Sequence, residues 1–233
     1  MTNSKKDVLV TGGTSGLGQS IAQGFSHQGY NVIAAGLGPF PDNKPDLTYR
    51  HLDVTESRTI EDALAECESL QVVVNAAGVI RRGEELDPDV FAEVVNINLN
   101  GTMRVCSAAR TQLAANRGSI INIASMLSYF GGGLVPGYAS SKGGIAQLTK
   151  SLAIAYAPDG IRVNALAPGW IATPLTRNLQ EDPERSNAIL SRTPMARWGK
   201  PEDLVGPALF LASSAAGFVT GTILNVDGGY AAV

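Results

Sequence analysis

Cysteine and histidine, the residues that most often hold metals, are scarce in this chain. Only two of each occur among its 233 residues. Cys67 and Cys106 lack the spacing of a metal site, and His27 and His51 have no ligand partners near them in the sequence. We therefore expect no metal, and we interpret both cysteines as reduced thiols that pack in predicted helices of a cytoplasmic protein.

Positive charge and long apolar runs are also in short supply. The 18 lysines and arginines are outnumbered by 21 aspartates and glutamates, which leaves no basic surplus for the phosphate backbone of a nucleic acid. No apolar run approaches the roughly 18 residues of a membrane span. The polar stretch 1–6 leads straight into a strand and predicts no secretory signal. These absences favour a cytoplasmic protein that binds neither nucleic acid nor membranes.

Short apolar segments alternate with segments of helical periodicity along the chain. Seven strands are predicted at 7–11, 31–35, 47–54, 72–74, 119–123, 161–166 and 222–226. The predicted helices lie at about 16–28, 55–69, 88–115, 137–156 and 201–213, and Thr55 is the predicted N-cap of the second. Hydrophobic residues are 44% of the chain, enough for a substantial core. The pattern predicts one doubly wound α/β domain over residues 1–233, with a mainly parallel seven-stranded sheet and helices on both faces.

Two segments depart from that alternation. Residues 36–45 contain Pro39, Pro41 and Pro45, so we expect a Pro-rich loop where a parallel crossover normally carries a helix. Residues 171–197 are longer and more polar than the other connections, and we interpret them as a mobile, helix-containing lid over a pocket.

A glycine-rich turn follows the first strand and opens the first helix. It reads Thr11-Gly12-Gly13-Thr14-Ser15-Gly16-Leu17-Gly18. Glycines allow the backbone to approach a pyrophosphate, and the helix N-terminus supplies N–H donors and a favourable dipole. The spacing G-x-x-x-G-x-G is not the common dinucleotide fingerprint G-x-G-x-x-G, so the strand–turn–helix–strand context carries this prediction.

Tyr138 and Lys142 form the candidate reactive pair at the start of the helix predicted at 137–156. Positions i and i+4 lie on one helix face, about 6 Å apart along the axis. An ammonium beside a phenol favours the phenolate and lowers its pKa from about 10. Tyr138 would then be a general acid/base for a carbinol oxygen. Taken alone, the pair also fits an exposed helix surface.

Four motifs occur together in one order and spacing. They are Thr11-Gly12-x-x-x-Gly16-x-Gly18, Asn75-Ala76-Ala77-Gly78, Tyr138-x-x-x-Lys142 and Pro168-Gly169. With them the chain resembles the short-chain dehydrogenase/reductase family over essentially its full length. The resemblance implies an extended Rossmann fold, a nicotinamide cofactor, no metal and, usually, a homotetramer.

The resemblance also implies roles for individual residues. Tyr138 would be the acid/base while a hydride moves between nicotinamide and carbinol carbon. Lys142 would lower the pKa of the tyrosine and hold the nicotinamide ribose. Ser125 would hydrogen-bond the substrate oxygen, although a serine at a strand end can also cap a turn.

Asn98 matches an asparagine that holds a relay water in many members of the family. Asn96 and Asn100 are near alternatives, but Asn98 directly precedes a leucine, as in the family. The alternative for Asn98 is an amide on a helix surface.

Further cofactor contacts follow from the same resemblance. Asp53 would lie near the adenine amino group and Val54 on the ring, although Asp53 equally fits a carboxylate at a helix entry before Thr55. Thr173 would bond the carboxamide, whereas Asn75 is expected to stabilise the sheet more than to touch the cofactor. The predicted cofactor-binding residues are Gly12, Thr14, Ser15, Gly16, Leu17, Gly18, Gly36, Leu37, Asp53, Val54, Asn75, Ala76, Ala77, Gly78, Tyr138, Lys142, Pro168, Gly169, Ile171 and Thr173.

The end of the second strand favours NAD over NADP. NAD-specific members usually carry aspartate where this chain has Gly36, and NADP users place a cation at the positions of Leu37 or Ser15. A 2′-phosphate carries about two negative charges and binds best to arginine or lysine. Only Lys44 is near in sequence, so we expect NAD(H). The missing aspartate leaves NADP possible.

Within the family, three stretches resemble bacterial 2-dehydro-3-deoxy-D-gluconate 5-dehydrogenases and gluconate dehydrogenases. They span 78–82, 124–129 and 197–199. The predicted reaction therefore interconverts a secondary alcohol and a ketone on a sugar acid or a related small polar substrate. The candidate substrate residues are Arg81, Ser125, Trp170 and Arg192, because an arginine can bind a carboxylate bidentately. Arg82, Arg197 and Trp198 are further candidates, yet such arginines are often solvated and such tryptophans often pack in cores.

Two alternatives remain open from the sequence. A 3-oxoacyl carrier-protein reductase would use NADPH and a basic surface for its carrier, and both the missing cofactor cation and the acidic composition argue against it. A non-catalytic nucleotide-sensing protein on the same fold would be expected to lose Tyr138, Lys142 or Ser125, and all three are present.

Overall fold

The computed structural model describes residues 5–40, 42–43 and 45–233. In this part of the chain seven strands pair in parallel, in the order β3-β2-β1-β4-β5-β6-β7. The strands are β1 (Asp7–Thr11), β2 (Asn31–Gly36), β3 (Leu47–His51), β4 (Leu70–Asn75), β5 (Ser119–Ile123), β6 (Arg162–Pro168) and β7 (Ile223–Val226). The predicted doubly wound Rossmann-type sheet is confirmed, and it is entirely parallel.

Helices cover both faces of this sheet. They are α1 (Gly16–His27), α2 (Ser57–Ala65), α3 (Pro88–Val95), α4 (Gly101–Asn116), α5 (Pro136–Tyr156), α6 (Arg177–Gln180), α7 (Pro183–Ser191) and α8 (Val205–Ala212). Leu9 of β1 packs in the cluster formed with α2, α4 and α5. Its neighbours Val8 and Val10 pack on the opposite face with α1 and α8. Burial on both faces explains why inner strands such as β1 and β4 are largely continuous apolar runs.

The crossover between β2 and β3 has no helix in its described residues, 37–40, 42–43 and 45–46. Two residues of the predicted Pro-rich loop, Pro41 and Lys44, lie outside the described residues.

The helix predicted at 88–115 is interrupted. Between α3 and α4, residues Asn96–Asn100 form a π-helical turn. Such a turn adds one residue to the hydrogen-bonded ring, and hydrophobic periodicity gives no sign of it. Its central residue, Asn98, faces inward and is fully buried.

The predicted N-cap of the second helix was wrong. We expected Thr55 to cap a helix running to about residue 69, but α2 begins at Ser57 and ends at Ala65. Thr55 instead donates both its backbone N–H and its hydroxyl to one oxygen of Asp53, at 2.8 and 2.7 Å. Because of this turn at the Asp53 carboxylate, Glu56 is the N-cap, and the helix begins one residue later than predicted.

Parallel strands carry their loops to one common edge. The glycine-rich turn follows β1, residues 76–78 follow β4, Ser125 follows β5, and Gly169 follows β6. Because ligands of open α/β sheets bind outside the carboxyl ends of the strands, this edge is where a site is expected.

Candidate active site

A cavity of about 540 Å³ lies over the carboxyl ends of β1, β2 and β4. Its walls include backbone that comes unusually close together. A Cβ at Gly12, where φ is +65°, would lie 2.7 Å from the backbone of Ala76 and Ala77. The predicted cofactor residues on its lining are Gly12, Thr14, Ser15, Gly36, Leu37, Asp53, Val54, Ala77 and Gly78.

The N-terminus of α1 fits an anionic group. Within the described residues Ser15, the N-cap, makes no side-chain capping hydrogen bond, and the first turn contains no acidic residue. The backbone N–H groups at the start of α1, together with the helix dipole, are therefore suited to bind a phosphate. Together with the glycine-lined cavity, these donors fit the pyrophosphate of a dinucleotide.

The adenosine end of this cavity has no cation among its described lining residues. Its charged members are Asp53 and Glu93. Hydrogen bonds from the backbone and then the side chain of Thr55 lower the pKa of Asp53. Asp53 is thus both a turn carboxylate, the alternative left open above, and part of the cavity wall.

Gly36 and Thr14 compete for the same space at this end. A Cβ on Gly36 would lie 2.8 Å from the Thr14 hydroxyl oxygen. The side chain of Leu37, by contrast, is 68% exposed. A larger residue therefore fits at position 37 but collides at position 36.

Asn75 supports the sheet, as expected. It is buried, and its amide donates to the side-chain oxygen of Asn122 at 2.9 Å. The Asn122 amide in turn donates to the hydroxyl of Thr149 in α5 at 2.9 Å. This chain of bonds ties β4 and β5 to the helix that carries the tyrosine–lysine pair.

Tyr138 and Lys142 lie on one face of α5. The lysine Nζ is 5.5 Å from the centre of the tyrosine ring and donates to the carbonyl oxygen of Ile123 at 2.7 Å. A Cβ on Gly78 would be 3.8 Å from the same Nζ, so the lysine also lies against the loop after β4. Tyr138 and Ser125 line one cavity of about 440 Å³. The structure thus brings together three of the four residues predicted as catalytic.

The predicted direction of the shift in the pKa of Tyr138 is wrong. We expected the ammonium to lower the pKa of Tyr138, yet burial raises it, and the negative charge of Glu85 adds to the rise. Contact with the Ser125 hydroxyl acts in the opposite direction. Burial also lowers the pKa of Lys142, to about 8. Removal from water disfavours the charged form of both groups.

Asn98 bridges the loop after β4 and the helix α5. Its side-chain oxygen accepts from the N–H of Val79 at 2.8 Å. Its amide donates to the Val79 carbonyl and to the hydroxyl of Ser141, both at 3.0 Å. Asn98 is therefore a buried linker and not an amide on the helix surface.

The larger part of the cavity beside Tyr138 is apolar, with two arginines. Arg82 and Arg192 line it, and none of its described lining residues is acidic. The Arg192 guanidinium lies 4.7 Å from the centre of the Tyr230 ring. Arg81, the arginine predicted here, is directed elsewhere: its guanidinium lies 3.4 Å from Glu93. Arg81 and Arg82 are adjacent in the sequence, which does not show which of the two faces the cavity.

The predicted residues at and after the end of β6 lie on the cavity, in the core or against the glycine-rich turn. Pro168, Gly169 and Trp170 line the cavity. The side chain of Ile171 is buried in the core. Thr173 lies opposite the glycine-rich turn, since a Cβ on Gly16 would be 3.9 Å from its side chain.

The described residues contain no group of three or more histidine, cysteine or carboxylate side chains able to hold a metal. No described helix has the length and apolar character that crossing a bilayer requires.

Cys67 and Cys106 are both buried free thiols, and burial raises the pKa of each to about 12.

Comparison with known proteins agrees with this geometry. A family profile described as enoyl-(acyl carrier protein) reductase matches residues 12–231. The 2-dehydro-3-deoxy-D-gluconate 5-dehydrogenase of Bacillus subtilis (strain 168) is 39% identical over 97% of this chain and 94% of its own length. The 3-oxoacyl-(acyl-carrier-protein) reductase of Chlamydia trachomatis serovar D is 35% identical, with 97% of each chain covered. The crystal structure of a putative 2-deoxy-D-gluconate 3-dehydrogenase from Agrobacterium tumefaciens with bound NADP has a TM-score of 0.89 at 38% identity, covering 100% of this chain and 98% of that one. The chain belongs to the short-chain dehydrogenase/reductase family of nicotinamide-dependent oxidoreductases, and it is an enzyme of the kind that acts on CH–OH groups.

Proposed function

We propose that this protein is an NAD(H)-dependent dehydrogenase that interconverts a secondary alcohol and a ketone on a sugar acid, such as a 2-dehydro-3-deoxy-gluconate. One observation carries the proposal. A single cavity contains Ser125 and Tyr138 at one side and two arginines, with no acidic residue among its described lining. A small carboxylate bound by an arginine would then place its alcohol carbon near the phenol.

The proton transfer is assigned to Tyr138. A bound nicotinamide would supply or accept the hydride. During reduction the phenol gives its proton to the carbonyl oxygen, and during oxidation the phenolate removes the proton from the alcohol. Ser125 donates a hydrogen bond to the same substrate oxygen. Because burial raises the pKa of Tyr138, we expect the phenolate to need a neighbouring positive charge.

Lys142 and Asn98 are proposed to support this step. The pKa of Lys142, about 8, keeps it mostly protonated at neutral pH. Its ammonium can then favour the phenolate and hold the nicotinamide ribose. Asn98 is proposed to keep the loop at Val79 and the helix at Ser141 in register. The relay water that the resemblance implies for Asn98 stays a prediction.

Substrate recognition is proposed to rest on Arg192 and Arg82. Both guanidinium groups are without a carboxylate partner within the described part of the chain. Stacking on Tyr230 limits the motion of Arg192, which lowers the entropy lost when it binds a carboxylate. Leu175 and Thr176 line the same cavity. We therefore propose that residues 171–197 form a lid, closing with the substrate.

The cofactor preference is proposed to be NAD(H). The adenosine end of the nucleotide cavity offers two carboxylates and, among its described lining residues, no lysine or arginine. A 2′-phosphate of about two negative charges would therefore find no lysine or arginine among these lining residues. Because a related structure contains bound NADP, the experiment below tests NADP(H) as well as NAD(H).

We also propose a cytoplasmic homotetramer. The buried free thiols fit a reducing compartment. Large apolar side chains are exposed on three helices: Met103 on α4, Ile154 on α5 and Phe210 on α8. Burying such side chains between subunits would favour association, and light scattering after size-exclusion chromatography measures the subunit number.

The test is a screen of cofactor and substrate together. Oxidation of aldonic acids with NAD⁺ or NADP⁺, and reduction of 2-dehydro-3-deoxy-aldonates and acetoacetyl thioesters with NADH or NADPH, are followed by absorbance. We expect turnover of a sugar acid with the NAD pair. Turnover of acetoacetyl thioesters alone, with NADPH, would replace the proposal by the carrier-protein reductase. Binding of a nucleotide without turnover of any substrate would favour the non-catalytic alternative.

A further inference from the structure

A buried carboxylate lies at the N-terminal end of the helix that carries Tyr138. Glu85 is 1% exposed. One of its oxygens accepts the backbone N–H of Arg81 at 2.7 Å, and the other accepts the backbone N–H of Tyr138 at 2.7 Å. Among the described lysines, arginines and histidines, none forms an ion pair with it. Burying a carboxylate without a cation costs free energy, so the position of Glu85 calls for an explanation.

The first turn of α5 lacks a cap of its own. The helix begins at Pro136, and its N-cap, Val135, has an apolar side chain that cannot accept a hydrogen bond. The N–H of Tyr138, in the first turn, would otherwise be unpaired. Glu85 satisfies it from 53 residues earlier in the chain, and the dipole of α5 favours a negative charge at this end.

The neighbouring glycine makes this contact possible. A Cβ on Gly137 would lie 3.3 Å from the Glu85 oxygen and 3.3 Å from the Cα of Phe91. A larger residue at position 137 would therefore push the carboxylate away from the helix. Glycine in a first turn otherwise brings no benefit, because it lowers helix propensity.

We propose that Glu85 is a positioning residue that fixes the first turn of α5, and with it Tyr138, against the loop that carries Arg82. The proposal rests on the proposed function, because it assumes that Tyr138 transfers the proton. One carboxylate joins the backbone of Arg81, adjacent to the cavity arginine Arg82, to the backbone of the acid/base. Glu85 thereby sets the distance between the group that would bind the substrate carboxylate and the group that moves the proton.

The charge of Glu85 gives this arrangement a measurable signature. The charged side chains around Tyr138 are Lys142 on its own helix, Glu85 at its backbone, and Arg82 and Arg192 on the lining of the shared cavity. Glu85 is the one negative group among these four. Its charge adds to the rise in the pKa of Tyr138 that burial causes.

The test compares Glu85→Gln with Glu84→Gln. Glutamine keeps the size of the side chain, but its amide would face one of the two backbone N–H groups as a second donor. Glu84 is the exposed neighbour and loses the same charge. With the sugar acid and cofactor found by the screen, we expect Glu85→Gln to lower kcat by about tenfold to a hundredfold, since small misplacements of reacting groups have effects of this order. The Kd for NADH should stay within about twofold, and Glu84→Gln should match the wild type.

A second readout does not depend on turnover. Phenolate absorbance, taken as the difference from Tyr138→Phe in each background, follows the ionisation of Tyr138 alone. Glu85→Gln should lower the pKa of Tyr138, because it removes the negative charge that raises this pKa. A fall in kcat at an unchanged Kd for NADH then separates positioning from a general loss of structure. Unchanged kcat and unchanged tyrosine ionisation, with only a lower Tm, would overturn the proposal.

Two further variants keep the outcome clear. If Glu85→Gln does not fold, Gly137→Ala retains the charge but displaces the carboxylate, and it should lower kcat several-fold, about the effect of a small misplacement. A normal kcat in Gly137→Ala would then count against the proposal. Tyr138→Phe separates the two hypotheses. If it is inactive while Glu85→Gln is normal, only the role of Glu85 fails. If Tyr138→Phe is fully active, the proposed function fails.

Discussion

Replacing Lys142 by methionine should change how the stability of the protein depends on pH. The lysine is 5% exposed, and burial lowers its pKa from 10.5 to about 8. Below pH of about 8 it is protonated in both the folded and the unfolded chain, and the folded state carries the full free-energy cost of a buried charge. Between these two pKa values only the unfolded chain holds the proton. The cost therefore disappears, and stability rises with pH.

The size of this effect follows from the shift. A fall from 10.5 to about 8 corresponds to about 3 kcal/mol, because one pKa unit is about 1.4 kcal/mol. Most of it should return between about pH 7 and about pH 10. Methionine has an unbranched chain and no charge, so it removes the titration while filling much of the same space.

Urea unfolding of wild type and Lys142→Met over this pH range, at one protein concentration, measures the effect. Taking the difference between the two free energies of unfolding removes the contributions of tyrosines and cysteines that titrate in the same range. We expect the stability of the variant relative to the wild type to fall by about 2 kcal/mol from about pH 7 to about pH 10. Lys150→Met, which removes an exposed lysine from the same helix, is the matched control. A difference between Lys142→Met and wild type that stays constant with pH would refute the reasoning.

Three further predictions concern the cofactor and the substrate. Gly36→Asp alone should weaken binding of NAD⁺ and NADP⁺, because its Cβ would lie 2.8 Å from the Thr14 hydroxyl oxygen. The double variant Gly36→Asp with Thr14→Ala should favour NAD⁺ over NADP⁺ by about tenfold. Tight NAD⁺ binding by the single variant would contradict the predicted collision. Leu37→Arg, at an exposed position, should lower the KM for NADP⁺ relative to NAD⁺ by about tenfold, and an unchanged ratio of KM values would place the 2′-phosphate elsewhere. Arg192→Gln should raise the KM for the sugar acid by about tenfold or more with the KM for the cofactor unchanged, whereas Arg81→Gln, outside the cavity, should leave both unchanged.

The order of elements could be read from the sequence because the five inner strands are buried on both faces. Strands of this kind are short, continuous apolar runs, and the glycine-rich turn after β1 marks the nucleotide end of the sheet. Tyr138 and Lys142 could be paired because helical spacing alone sets their relation. Ser125 follows from its place at the end of β5, on the edge where all parallel strands end.

Contacts between distant segments could not be read in this way. Nothing in the local sequence distinguishes Arg82 from Arg81, since the choice depends on how the loop after β4 turns toward α5. The π-helical turn at Asn96–Asn100 breaks the 3.6-residue period by one residue, which a periodicity argument cannot register. The role of Glu85 depends on a helix that begins 51 positions later, at Pro136.

The prediction that the pKa of Tyr138 is lowered was wrong for a related reason. Spacing shows that an ammonium lies near the phenol, but it does not show how deeply both are buried. Burial, which depends on the whole fold, is the largest cause of the rise in the pKa of Tyr138.

The most direct test of the central claim, that Tyr138 transfers the proton, is turnover by Tyr138→Phe measured beside its affinity for NADH. Phenylalanine removes only the phenol hydroxyl, whose contact in the structure is with the Ser125 hydroxyl. Turnover should fall by about a hundredfold or more, while the Kd for NADH stays within about twofold of the wild-type value. Turnover equal to that of the wild type would contradict the claim, and so would loss of turnover that is fully explained by loss of NADH binding.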